Sequence, residues 1–134
     1  MITNAVVTIY NRARGNKDTF DSWHYTVLKP VHVYVDHKVS VGDSGLSSAD
    51  VYKIRIPADA EGADYYLPPE EYAEMDNPNG YWTIQNDDYI VLGECAKEIE
   101  KPADLHKVSW RNCKVLSWSD NRRGTTPHWR IEGA

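Results

Sequence analysis

The chain has 134 residues, 26% of them charged, and a formal net charge of −5. That length suits one domain, residues 1–134, able to bury a core, and no apolar run reaches the roughly 18 residues that span a bilayer, which excludes a transmembrane helix. The charge is unevenly divided: residues 1–57 hold five acids and seven bases, residues 58–100 twelve acids and one base, and residues 101–134 three acids and seven bases, so the middle segment is unsuited to wrapping nucleic acid, which needs Lys and Arg against phosphates.

Ala5 to Tyr10 is β-branched and aromatic and predicts a strand. Asn11 to Asp18 reads as a polar loop, and Trp23 to Leu28 resumes the strand pattern before stopping at Lys29-Pro30. Valines at 31, 33, 35, 39 and 41 share one face of an extended segment, with His32, Tyr34, Asp36, Lys38 and Ser40 on the other. Gly42-Asp43-Ser44-Gly45 turns the chain. Tyr52, Ile54 and Ile56 alternate with Val51, Lys53 and Arg55 in a strand closed by Pro57.

Ala58 to Asp64 reads as an acidic loop, and Leu67 to Met75 as the one short helix, with prolines at its start and glutamates in its first turn. Asp76 to Gly80 ends it. Tyr81–Ile84 and Tyr89–Leu92 flank the polar Gln85-Asn86-Asp87-Asp88 and predict a hairpin. Lys101 to Leu105 suggests a helical turn. Val108 to Trp118 and His128 to Ile131 read as the last strands, around a loop from Ser119 to Pro127. About eight short strands and one helix, with no βαβ rhythm, predict a mainly β fold: a small antiparallel β-barrel or sandwich.

Five Trp and nine Tyr stand against one Phe. These residues have an apolar body and a polar handle, so they suit half-buried surfaces as well as pleated strands. Cys95 and Cys113 have no Cys or His spacing that holds a metal, and read as free thiols with at least one buried. The opening residues carry no secretion-signal pattern, so synthesis in the cytosol is expected.

Catalytic and cofactor motifs are missing from the pattern. Gly42–Gly45 lacks the lysine and spacing of a phosphate loop, and Ser44 sits in no nucleophile elbow. The histidines at 24, 32, 37, 106 and 128 form no HxxxH or HExxH. Adjacent acids such as Asp87-Asp88 diverge on a strand, and read as turn residues bonding their own backbone. The expectation is a non-enzyme with no cofactor and no metal.

Two surfaces stand out instead. The loop bearing Trp118, Asp120, Asn121, Arg122 and Arg123 pairs turn formers with two exposed cations, and reads either as a solvated hairpin loop or as a docking loop whose Arg forks meet carboxylates of a neighbouring subunit. Glu70, Glu71, Glu74 and Asp76 form a candidate acidic face.

The segments Ile2-Thr3-Asn4, Val7 to Arg12, Ser48 to Pro57, Gly80 to Ile84, Lys101 to Leu105, Trp118 to Gly124 and His128 to Gly133 together resemble small proteins of Gram-positive phages and prophages, encoded among minor capsid and head–tail connection genes. The layout also resembles siphophage head-closure (stopper) proteins. That resemblance implies a small β-barrel in the virion, made in the host cytoplasm and built into a ring with portal, adaptor or tail proteins. DNA would pass nearby without sequence-specific binding, and the acidic stretch 58–76 would face the channel. A tail-terminator or other neck protein, and a carbohydrate-binding β module with a Trp and Tyr stacking platform, are the alternative readings.

Overall fold

A computed structural model describes residues 5–13, 22–42, 45–75, 80–95, 98–99, 104–105 and 112–134, with the backbone alone described over 36–42 and 45–50. Its strands are β1 (Ala5–Ala13), β2 (Ser22–Gly42), β3 (Gly45–Pro57), β4 (Tyr89–Leu92), β5 (Asn112–Asp120) and β6 (His128–Gly133). They close into a barrel in the order β1-β2-β3-β6-β5-β4, with every neighbouring pair antiparallel. The expected choice between barrel and sandwich is thus resolved as a barrel, with six strands among the described residues where the sequence suggests eight.

Part of that difference lies in β2. The expected stop at Lys29-Pro30 does not occur, and the strand continues to Gly42. Residues up to Val31 pair with β1, and residues from His32 pair with β3. Pro30 stands at this change of partner, where its missing N–H breaks no ladder. Next to it, Lys29 exchanges backbone hydrogen bonds with Glu61 at 3.3 and 2.8 Å. β1 likewise runs on through Asn11–Ala13, which the sequence reads as loop.

Alternation fills the inside. Val7 and Ile9, Leu28 and Val31, Ile54 and Ile56, Ile90, Val115 and Ile131 point into one cluster, completed by Trp82, Ile84 and Trp129. Each such aliphatic side chain contributes about 1.5–3 kcal/mol by leaving water. The opposite face of β1 and β4 is covered as well: Tyr10 and Val91 pack with Cys95, Ile99 and Leu105, flanked by Trp23 and Tyr89. Thr8 pins this outer layer, its Oγ1 donating to Gly93 O and accepting from Cys95 N, both at 2.9 Å. Both cysteines are buried and free.

The segment between β3 and β4 is a lid over one end of the barrel. It contains a 3-10 turn (Ala63–Tyr65) and α1 (Pro69–Ala73). The hairpin expected from Tyr81–Ile84 and Tyr89–Leu92 does not form. Trp82 instead bridges Tyr66 in parallel, and β4 lies between β1 and β5. The reason is burial: Trp82, Thr83 and Ile84 are all inaccessible, so this run has no wet face and enters the barrel end rather than a ladder. The turn at Asn86–Asp87 exists but feeds β5, through Asp87 N–Val115 O at 2.9 Å and Val115 N–Asp88 O at 2.8 Å.

The Asp88 carboxylate does not bond its own backbone, as the turn chemistry expected of Asp87-Asp88 would have it. It is buried and accepts from Asn11 Nδ2 at 2.9 Å, Gln85 Nε2 at 3.0 Å and Arg12 N at 3.3 Å. Asn11, also buried, bonds Thr83 through both backbone groups, at 2.7 and 3.1 Å. This polar knot ties the lid to β1.

Beyond the barrel, β2 and β3 continue as a two-stranded arm. Pairs from Asp36–Val51 to Gly42–Gly45 have no third strand beside them among the described residues. At about 3.4 Å per residue the arm reaches roughly 20 Å. Asp43 and Ser44, the centre of the expected turn, lie outside the described residues, as do residues 101–103 and 106–111 of the later expectations; β5 begins at Asn112.

Candidate functional site

The candidate docking loop is the tip of the β5–β6 hairpin. A bulge between Val115 and Ser117 turns Leu116 outward, and Trp118 then packs against the core. β5 ends at Asp120, opposite Trp129, and residues 121–127 are exposed.

Asp120 organises this tip. Its carboxylate accepts from Arg122 N at 3.2 Å, the local turn that Asp favours. It also accepts Arg122 Nε at 2.8 and 3.1 Å and a terminal nitrogen at 2.7 Å, a forked ion pair. The guanidinium lies 5.0 Å from the Tyr66 ring centre and 5.1 Å from that of Trp129. Beneath it Tyr66, Trp82 and Trp129 form a triangle of rings with centroids 4.9–5.0 Å apart, Trp82 standing edge-to-face with each of the other two and Tyr66 tilted against Trp129. A cation over such faces is attracted by their negative quadrupole.

The charges respond. Hydrogen bonding from Arg122 holds the Asp120 carboxyl below the usual carboxylate range, helped by the charge of Arg123. Burial pushes the Tyr66 phenol up to about 12, with Asp120 adding to the rise.

A second network braces the other side of the tip. Asn121 Nδ2 donates to Ser119 Oγ at 3.1 Å and approaches His128 Nε2 at 3.4 Å. His128 Nδ1 lies 2.8 Å from Thr126 O; a carbonyl only accepts, so this nitrogen carries the hydrogen. Below the tip, Ser117, Trp118, Ser119, Arg130 and Glu132 line a shallow open hollow of about 200 Å³, across which Arg130 and Glu132 pair at 3.1 Å.

Of the candidate acidic face, Glu70 and Glu71 lie in α1 and Glu74 caps its C-terminal end; all three are exposed. Asp76 lies outside the described residues. Asp59, Glu61 and Asp64, earlier in the lid, line the same segment and are all exposed. Tyr65, 63% exposed, stands edge-on to Tyr81 among them.

The fold brings the two candidate surfaces to the same end of the barrel. Arg122 reaches over Tyr66 of the lid, and Ala58 N bonds Pro127 O at 3.0 Å. The Asp-x-Arg spacing of the tip is visible in the sequence; Tyr66, the ring that receives Arg122, carries no signal that separates it from its exposed neighbour Tyr65. Cys113 is driven up to about 12 by burial, which leaves it a protonated packing residue and a poor nucleophile. Among the described residues no three His, Cys, Asp or Glu gather as metal ligands, and no helix is long and apolar enough to cross a membrane.

The sequence pattern of a family described as a family of unknown function (DUF6751) matches residues 2–134. No curated protein and no solved structure matches the chain.

Proposed function

We propose that this chain, which belongs to the family of unknown function DUF6751, is a structural virion protein of a phage head–tail connector, assembling as a ring around the DNA channel by docking to copies of itself and to portal, adaptor or tail proteins. The observation that supports this reading most is the β2–β3 arm. Its outer edges beyond the barrel lie beside no described strand. A two-stranded ribbon is marginal alone, and open strand edges invite pairing. In this reading the arm is an element that another protein completes. The resemblance to head-closure proteins and the braced Arg-bearing tip agree with it.

Mass spectrometry of purified phage particles tests the reading. The protein is expected in intact particles at a fixed number of copies, and particles made without its gene are expected to be unjoined heads and tails. Its absence from particles rejects the connector role.

A further inference from the structure

We propose that the two arginines of the tip have separate tasks: Arg122 is a positioning residue that holds the tip in shape, and Arg123 is the cation that a partner meets, the partner being the acidic lid of a second copy of this chain. The proposal deepens the ring-forming reading above and rests on it for the identity of the partner.

The geometry separates two neighbouring residues of the same type. Arg122 uses its backbone N–H, its Nε and a terminal nitrogen on both oxygens of Asp120, and lays its guanidinium over Tyr66 and Trp129. A partner carboxylate would have to displace a forked pair that is already tethered two residues away, so Arg122 is a poor donor to another molecule. Arg123 follows it, is exposed, and makes no ion pair with a described residue. Fixing Arg122 fixes where the chain leaves for Arg123, and a preset loop loses less freedom on docking.

Charge complementarity chooses the partner. The lid offers exposed Glu61, Asp64, Glu70, Glu71 and Glu74 and no base between residues 58 and 75. The tip belongs to a segment, 101–134, with seven bases and three acids. A neighbour that sets its tip on this lid while offering its own lid to the next copy makes a heterologous contact of the kind that closes rings, and an assembly that stops at a reciprocal pair of copies overturns ring closure.

The test measures self-association of the chain by sedimentation velocity at low salt, and hydrogen exchange of the tip amides of Asn121 and Arg122, which donate to His128 O and to the Asp120 carboxylate. Arg123→Glu is expected to weaken association at least about tenfold, because like charges then face each other, while tip exchange stays as in the wild type. Arg122→Lys keeps the charge but loses the fork. It is expected to speed tip exchange about tenfold or more and to weaken association less than Arg123→Glu. Mixing the Arg123→Glu chain with a Glu70→Lys/Glu71→Lys chain, whose own tip is intact, is expected to restore pairing between the two, through the swapped charges. A wild-type chain that stays monomeric at every concentration overturns the second copy as partner. Unchanged association of Arg123→Glu overturns the role of Arg123, and unchanged tip exchange in Arg122→Lys overturns that of Arg122. Failure of the connector reading shows separately, as absence from particles.

Discussion

Asp88 keeps 2% of its surface in water, and three donors converge on its two oxygens. Burial nevertheless dominates and pushes its carboxyl up to about 6, with Asn11 and Gln85 pulling the other way. A carboxyl raised in the folded state holds its proton more tightly there than in the unfolded chain. Its contribution to stability therefore grows as pH falls from about 6 toward the ordinary aspartate value of 3.8, and is lost as pH rises through about 6. The difference is about 3 kcal/mol at most. Urea midpoints measured between pH 4 and 8 are expected to carry this slope in the wild type and to lose it in Asp88→Asn. The amide introduced there can place its oxygen where Asp88 Oδ2 accepts from Asn11 and Gln85, while its NH2 meets the Arg12 N–H donor to donor, so the midpoint is expected to be lower as well as flat. Removing the other member of the knot has no such remedy. Asn11→Ala strands both backbone groups of Thr83 in a dry site, and is expected to lower stability by about 2–4 kcal/mol in denaturant titration. The sequence held a clue to this residue: Asn11 has the same parity as Val7 and Ile9, so an extended β1 must carry it inward. Reading it as the start of a loop hid that clue. Its partner could not have been read, because Thr83 and Asp88 arrive from more than seventy positions away.

At the scale of elements, legibility followed periodicity. The alternation of Val31 and Val33 and of Tyr52, Ile54 and Ile56 named the core face of β2 and β3, since a strand with one wet side must alternate. Tyr81–Ile84 misled because its apolar run looks like a strand while Trp82, Thr83 and Ile84 are buried on all sides, a pattern that periodicity does not separate from a plug. The lid entering the barrel end depends on Gly62. Its φ of 94° is left-handed, and a Cβ there would run into the carbonyl oxygen of Val27. Gly62→Ala is expected to cost about 2–4 kcal/mol, through both strain and the shift of β2 it forces, and to show in thermal melts. Gly124, in the exposed tip with only one atom near its would-be Cβ, at 3.9 Å, is the matching control and is expected to accept Ala with little change.

For the whole molecule, the division of charge is the property that a sequence displays directly and composition totals conceal. Its spatial meaning needed the fold, which sets the basic tip against the acidic lid through Arg122 and Tyr66. The proposed association between copies runs through such exposed charges and would be screened within about 8 Å at physiological salt. Raising salt about tenfold from a low-salt buffer is expected to weaken self-association at least severalfold in sedimentation velocity, while leaving the urea midpoint of the monomer nearly unchanged, because the barrel core is apolar. The barrel itself is held shut by β6, which lies between β3 and β5 and pairs with both.

The ribosome therefore makes residues 1–127 before a ring of strands can exist. Until residues 128–133 emerge, the nascent chain carries two uncovered margins, on β3 and on β5, and the indoles of Trp82 and Trp129 are not yet brought together. That interval is where misassembly or chaperone capture would act, and a translational pause just before His128 would prolong it.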